Sequence, residues 1–360
     1  MSAGPYSFEK PGRCSGSLER SERIEDMKNG QTTVLEICAG AGGQSSGLEK
    51  AGFGHVCAVE IDPDAAATLR LNRPEWRVEE ADVREFDASG YEGVTMLAGG
   101  VPCPPFSVAG KQLGPDDERD LFPHALDLIA QARPEAVMLE NVKGLASDRF
   151  TPYRASILNR LHALGYETDW KLLQASWYGV PQLRPRFILV ALKPRVFARF
   201  RWPEPVGAPP TVGMALWDLM SANGWTGAAN WSKNADGIAP TIVGGSKKHG
   251  GPDLGPTRSR QAWHKLGVDG KGIADAAPSA DAPFDLLPRL TNPMVALLQG
   301  FSPGWQFVGG KTAVYRQIGN AFPPPVAAHV GVAIQAALAG VSNERAQQLF
   351  AGEQLESVFA

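Results

Sequence analysis

Cysteine is scarce in this chain. Only Cys14, Cys38, Cys57 and Cys103 occur in 360 residues, with no Cys-x-x-Cys pair and no Cys/His spacing of the ligand type. The pattern argues against a disulfide framework or a zinc site and fits a reducing, cytoplasmic compartment. Long apolar runs are also missing. No stretch of eighteen or more apolar residues occurs, so no membrane span is expected. The opening MSAGPYSFEKPGRCSGSLERSERIEDMKNG has no apolar core and does not read as a secretory signal; residues 1–30 are expected to be a mobile leader. An excess of one charge is absent as well: 35 Lys and Arg stand against 38 Asp and Glu, a net charge of −3. With a pI near 6.1, there is no bulk attraction to nucleic acid, and any such binding must come from local patches. No internal repeat is found. The 43% hydrophobic content is ordinary for a globular protein, and 360 residues predict one large domain plus a smaller one.

What the chain does have is alternation. TVLEICAGAGGQSSGLEKAGF reads as an apolar strand over residues 34–37, a glycine-rich bend and a helix ending near Gly52. HVCAVEID is a second strand running out into Glu60 and Asp62, DAAATLRLN a helix, and WRVEEADVREF a shorter third strand ending at Asp82. VTMLAGGVPC is a fourth strand that enters a cysteine loop. LFPHALDLIAQARP is an amphipathic helix, EAVMLENV a fifth strand ending in Glu140 and Asn141, RASILNRLHALGY a helix, and RPRFILVALK a buried strand. The order predicts an α/β fold, a mostly parallel sheet with helices on both faces and ligands at the carboxyl ends of its strands. Gly40, Glu60, Asp82, Cys103 and Glu140 all fall at such ends. Beyond Arg201 the Pro/Gly-rich RWPEPVGAPPTVG reads as a linker, and residues 206–288 are loop-rich. Helical pattern returns in LTNPMVALLQGF and PVAAHVGVAIQAALAG. The expected division is therefore a large domain over 31–205, a smaller inserted one over 206–288, a segment 289–345 returning to the first, and a tail 346–360.

The strand ends carry chemistry. Glycines between a strand and a helix let a nucleotide-like ligand approach the backbone, although a plain tight turn explains them equally well. The spacing is not that of a pyrophosphate loop, which excludes a generic dinucleotide dehydrogenase. Glu60 is placed to accept from both ribose hydroxyls and Asp82 from an adenine amino group; singly, each is more simply a solvated acid. Together they favour an adenosine cofactor without a pyrophosphate, S-adenosylmethionine. In GGVPCPPFSVAG, prolines restrict the loop around Cys103, a setting that suits a nucleophile more than an inert buried thiol. Cys38 and Cys57, within apolar strand patterns, fit the inert reading. Glu140, at the end of an apolar strand, is expected to be desolvated with a raised pKa. Arg184 and Arg186 are two apart on one side of an extended segment, where one could meet a phosphate and the other a ring oxygen; surface arginines are the plain alternative.

LEICAGAGGQSSGLEKAGF, VEID, ADV, GGVPCPPFS, RDLFPHAL, MLENV, QLRPR, RLTNPMVALLQGF and YRQIGNAFPPPVA, in this order, resemble the motif set of DNA cytosine-5 methyltransferases over about residues 33–190 and 289–340. The resemblance implies a Rossmann-like S-adenosylmethionine-dependent fold and a role for each matching residue. Cys103 would attack carbon 6 of a cytosine flipped out of its duplex. Glu140 would hydrogen-bond N3 and the exocyclic amine, and Arg186 the cytosine O2. Arg184 would support the loop and a nearby phosphate, and Asn141 would order the backbone around Glu140 and Cys103. On the cofactor side it implies Glu60 at the ribose, Asp82 at adenine, and Ile61, Val83 and Leu121 lining the adenosine pocket. Cys38, Ala39, Gly40, Gly42 and Gly43 would pass the cofactor along the first loop, with Pro102, Asn320 and Ala321 by its methionine end. Residues 206–288 would be the target-recognition domain, where Lys247, Lys248, His249, Arg258 and Arg260 are candidate DNA contacts, joined by Ser107 from the cysteine loop. The partners implied are duplex DNA and a cognate restriction endonuclease, with the chain a cytoplasmic monomer.

There are departures. Cys38 stands where the family often has an aromatic residue on adenine, Glu36 replaces the more frequent aspartate, and LTNPMVALLQGF lacks the usual arginine–glutamate pair. Two rival readings are weaker. A tRNA cytosine-5 enzyme shares this core but carries Cys-Phe-Thr just after Glu-Asn-Val, where VKGLASDRF stands here. A catalytically silent S-adenosylmethionine- or DNA-binding regulator is disfavoured by intact Cys103, Glu140, Arg184 and Arg186.

Overall fold

The computed structural model describes residues 32–102, 120–245 and 253–358. Cys103, Ser107, Lys247, Lys248 and His249, like the leader, lie outside the described residues. Seven strands form the central sheet: β1 (Thr33–Ile37), β2 (Gly54–Glu60), β3 (Val78–Glu80), β4 (Met96–Gly100), β5 (Ala136–Val142), β6 (Glu167–Gln174) and β7 (Pro185–Leu192). Their order is β3-β2-β1-β4-β5-β7-β6. Strands β3, β2, β1, β4 and β5 run parallel, and β7 is antiparallel to both of its neighbours. The mostly parallel expectation holds, with one reversed strand. The order reverses between β1 and β4, which opens a crevice at their carboxyl ends.

Strand sequence follows depth. β1 is buried along its whole length, as a strand covered on both faces requires. The edge strand β6 instead exposes Glu167, Asp169 and Lys171, charges that discourage further strand pairing. Helices α1 (Gly43–Lys50), α2 (Pro63–Asn72), α3 (Phe122–Ala132) and α4 (Thr151–Ala163) follow in chain order. Asp62 caps α2, accepting from the N–H groups of Asp64 and Ala65, with Pro63 in the first turn. On one face of the sheet, Leu35, Ile37, Val59 and Leu97 share a core with Ile129 of α3 and Leu161 of α4.

In the second half, α5 (Thr257–Lys265), α6 (Asn292–Gln299), α7 (Lys311–Asn320), α8 (Pro324–Ala339) and α9 (Asn343–Val358) follow. α8 covers the other face, where Val330 and Ile334 pack with Val34, Met96 and Met138. Lys311–Ala339, taken together, is long and apolar enough for a membrane span by length and composition, yet 83% of its apolar window is buried in this core. The loop-rich region 206–288 contributes Met220, Trp231 and Trp263 to a core shared with Leu298 of α6, Tyr315 of α7, and Ala58 and Leu69 of the first half. The region is thus packed against the rest of the chain through α6 and α7. α9 occupies most of the stretch read as a tail, and its Phe350 packs on Ala328 and Val332 of α8.

Candidate active site

A cavity of about 450 Å³ opens at the switch point of the sheet, a size and place typical of small-molecule sites. Its wall contains Cys38, Ala39, Gly40, Gly43, Glu60, Ile61, Asp82, Val83, Pro102, Leu121, Asn320 and Ala321, so of the expected cofactor residues only Gly42 is not in it. Glu140 also reaches the cavity.

Glu60 ends β2, and its carboxylate is fixed by two backbone donors: Gly40 N–H to Oε2 at 2.7 Å and Asp62 N–H to Oε1 at 2.8 Å. Burial raises its pKa and these N–H groups oppose the rise. A carboxylate oxygen accepts more than one hydrogen bond, so both oxygens keep capacity for a diol. Asp82 lies two residues past β3 and is gripped by Arg84, whose Nε lies 3.0 Å from each carboxylate oxygen. That hydrogen-bonded cation holds Asp82 below the usual carboxylate range. Cys38 adopts φ +51°, a conformation few non-glycine residues take, at the turn out of β1. Burial and the carboxylates of Glu60, Asp82 and Glu36 push its thiol upward, so it is not a ready thiolate.

The glycines act differently from one another. Gly40 has φ +58°, and a Cβ there would meet nothing within 4 Å. A Cβ on Gly42 would lie 2.4 Å from the Trp305 ring, and one on Gly43 2.4 Å from the Phe322 carbonyl. At Gly42 and Gly43, therefore, the missing side chain lets protein pack on protein. Gly43 nevertheless keeps its place in the cavity wall.

Glu140 and Arg186 meet across the antiparallel β5–β7 pair. Arg186 lies opposite Val142, the diagonal neighbour of Glu140. Arg186 Nε approaches Glu140 Oε1 to 2.8 Å, and both side chains are 12% exposed. Burial raises the Glu140 pKa, and Arg186 and Arg184 oppose the rise. Asn141 is buried and donates from Nδ2 to the Val101 carbonyl at 2.7 Å, while its Oδ1 accepts from Val142 N–H. One residue further, Leu121 N–H donates to the Pro102 carbonyl at 3.4 Å. The two ends of the cysteine loop are therefore held together beside the cavity. Asp120 anchors the returning end by accepting from Tyr153 Oη at 2.6 Å.

Arg184 supports backbone, as one half of its expected role, and is withdrawn from the other. It is 1% exposed, and its guanidinium donates to the carbonyls of Ile242, Gly319 and Ala321 at 2.6, 2.7 and 3.0 Å. It is not available to a phosphate. Gln182 is equally buried, donating to Leu298 O and Gln299 Oε1 and accepting from Ile242 N–H. In the Gln-x-Arg-x-Arg stretch, Gln182 and Arg184 brace the loop-rich region against the site, and Arg186 alone faces Glu140. Arg184→Met is expected to lower unfolding free energy by about 3 kcal/mol or more, because several buried carbonyls lose a charged donor; urea denaturation measures it, and a change below about 1 kcal/mol would contradict the bracing role.

Arg258 is exposed on α5, whereas Arg260 is partly buried and lies 3.6 Å from Asp253. Within the region read as loop-rich, Thr257–Lys265 is helical. Asn320 donates to the Gly245 carbonyl at 3.3 Å. Sequence reasoning missed Gln44, Asp62, Arg316, Gln317 and Phe322, which also line the cavity. Arg316 stands four residues before Asn320 on α7, so the helical repeat could have shown the shared face. It lies 3.8 Å from Asp62.

The strand order with its single reversed strand, and a cavity at the switch point holding a fixed acid after β2, define a Rossmann-like methyltransferase. A prophage-encoded DNA modification methyltransferase of Escherichia coli shares this fold, with TM-score 0.61 and 24% identity over 85% of this chain and 99% of that one. The DNMT2 of Spodoptera frugiperda does so with TM-score 0.60 and 18% identity, covering 84% and 99%. Residues 32–336 match the family model of C-5 cytosine-specific DNA methylases. The chain is 59% identical over 309 residues to the Type II methyltransferase M.NaeI of Lentzea aerocolonigenes, covering 85% of this chain and 75% of that protein. It is 54% identical over 312 residues to M.NgoMIV of Neisseria gonorrhoeae, covering 86% and 98%. The chain belongs to the C-5 cytosine-specific DNA methylase family and is a DNA cytosine-5 methyltransferase.

Proposed function

We propose that the chain methylates carbon 5 of one cytosine in a short duplex sequence, with S-adenosylmethionine as donor and a covalent bond from Cys103 to the base, as the modification enzyme of a restriction-modification system. The observation that carries the reading is Glu140, paired with Arg186 at 2.8 Å, lining the same cavity as Glu60. The residues fit the cofactor: Glu60 offers a preset carboxylate for a ribose diol, and Ile61, Val83 and Leu121 give apolar surface for a base. When bound, S-adenosylmethionine supplies an electrophilic methyl group. The chain's own residues would do the rest. A cytosine stacked in a duplex hides carbon 6, so the base must leave the stack, at a cost of a few kcal/mol offset by contacts in the pocket. Arg186 would meet O2, and Glu140 would donate to N3 and accept from the exocyclic amine. The Cys103 thiolate would bond to carbon 6 and make carbon 5 nucleophilic. After carbon 5 takes the methyl group, its proton leaves to a base and the thiolate is eliminated, which restores the ring.

The test is a base-resolution map of 5-methylcytosine in DNA from a methylation-free host expressing the chain. Marks recurring at one short sequence are expected. Their absence, with labelled methyl appearing in RNA instead, would overturn the reading. M.NaeI and M.NgoMIV are Type II methyltransferases, which supports a restriction endonuclease of the same specificity as functional partner. We further propose a cytoplasmic monomer that reads its target with residues 206–288. Neutralising Lys247, Lys248, Arg258 and Arg260 together should weaken DNA binding and flatten log K against log salt by about 3, roughly 0.9 per phosphate contact for all but the Asp253-bound Arg260. An unchanged slope would assign these residues to a solvated surface.

A further inference from the structure

We propose that Trp305 is a positioning residue for methyl transfer: its indole N–H sets the turn after β1 and, through that turn, the Glu60 carboxylate. The inference rests on the S-adenosylmethionine reading above. The turn needs holding. Cys38, Gly40 and Gly42 have φ +51°, +58° and +88°. Glycine takes such angles freely but takes others as freely, and Cys38 is strained there, so surrounding contacts must fix the shape. Some of those contacts are local: Ala39 N–H donates to the Val59 carbonyl at 3.1 Å and Gly40 N–H to Glu60. Trp305 adds one from 264 residues away, donating from Nε1 to the Ala41 carbonyl at 3.0 Å. Its ring also takes the space beside Gly42, where a Cβ would lie 2.4 Å from it.

Trp305 is not in the cavity wall, whereas Ala41 is, so the indole acts through the turn. Its own seat is firm. Trp305 is buried, and the guanidinium of Arg73, at the end of α2, lies 5.3 Å from its ring centre. Arg73 is in turn held at 2.6 Å by both carboxylate oxygens of Glu49 on α1. Ala41 is buried too, so its carbonyl, deprived of the indole N–H, must turn to find another donor. That carbonyl stands two peptide units after the Gly40 N–H that fixes Glu60 Oε2 at 2.7 Å. Its rotation therefore disturbs the acceptor offered to the ribose.

Trp305→Phe keeps much of the ring packing and removes the N–H. Calorimetry should find S-adenosylhomocysteine and 5′-methylthioadenosine both weakened about tenfold, because both carry the ribose. In methyl transfer to duplex DNA, KM for S-adenosylmethionine should rise about tenfold while kcat stays within about twofold of wild type. Thermal unfolding of the unliganded variant checks that it is folded. Arg73→Met removes the guanidinium beside the indole but leaves its N–H; it should weaken both ligands about threefold, and it carries the test if Trp305→Phe does not fold. Lower thermal stability with unchanged affinity and KM would make Trp305 a packing residue and overturn the assignment. A fall in kcat alone would overturn it as well. If the wild-type chain bound neither ligand, the cofactor reading itself would fall and the inference with it, a result distinct from failure of Trp305 alone.

Discussion

Cys103→Ala is expected to leave the protein folded and able to bind S-adenosylhomocysteine within about twofold of wild type, while methyl transfer to duplex DNA drops by about 10⁴-fold or more. The residue follows Pro102, and the preceding residues are tied in place: Asn141 holds the Val101 carbonyl, and Leu121 N–H closes the loop onto Pro102. Pro102 and Glu140 both line the cavity. Removing the sulfur deletes the atom proposed to bond carbon 6, whereas Glu60 is held by the N–H groups of Gly40 and Asp62. Transfer of labelled methyl to DNA, read beside calorimetric ligand binding, separates the two effects. Persistent turnover in the variant would exclude the covalent route. Loss of ligand binding along with activity would instead make Cys103 part of the cofactor wall.

Glu140→Gln is expected to slow transfer by about 10²- to 10⁴-fold, the range for a positioned acid or base. It should also change the pH profile. Burial lifts the Glu140 carboxyl above its ordinary range, and Arg186 at 2.8 Å limits the rise. The protonated form that donates to N3 is thus present below the raised pKa and lost as pH climbs through it. Wild-type activity should therefore show an alkaline fall that the glutamine variant lacks, because its amide donates at every pH. The variant also leaves Arg186 buried without its counter-charge. Measuring kcat against pH for both proteins decides the matter. An identical alkaline limb in the variant would show that the limb belongs to another group and that Glu140 does not act as the donor.

Much of this protein was legible in the chain itself. Alternating strand and helix periods announced an α/β sheet, and acids placed after successive strands marked one end of it. Glu60, Asp82 and Glu140 do line one cavity, because parallel strands joined by crossovers must present all their carboxyl ends on the same side. Local pattern also separated Glu140, at the end of a buried strand, from a solvated acid. What the pattern could not carry was which distant backbone comes to lie beside a given side chain. The arginines of QLRPR have the same local setting. Only the arrival of Ile242, Gly319 and Ala321 turned Arg184 into a buried brace while Arg186 met Glu140. That Gly42 and Gly43 also leave room for Trp305 and Phe322, far along the chain, was equally invisible in the sequence. The reversal of β7 and the unmet amide of Gln44 belong to the same class. Sequence period and turn chemistry are local and set the elements and their faces. Burial and hydrogen-bond completion are long-range, so only the packed chain decides which polar groups brace the fold and which remain for a ligand.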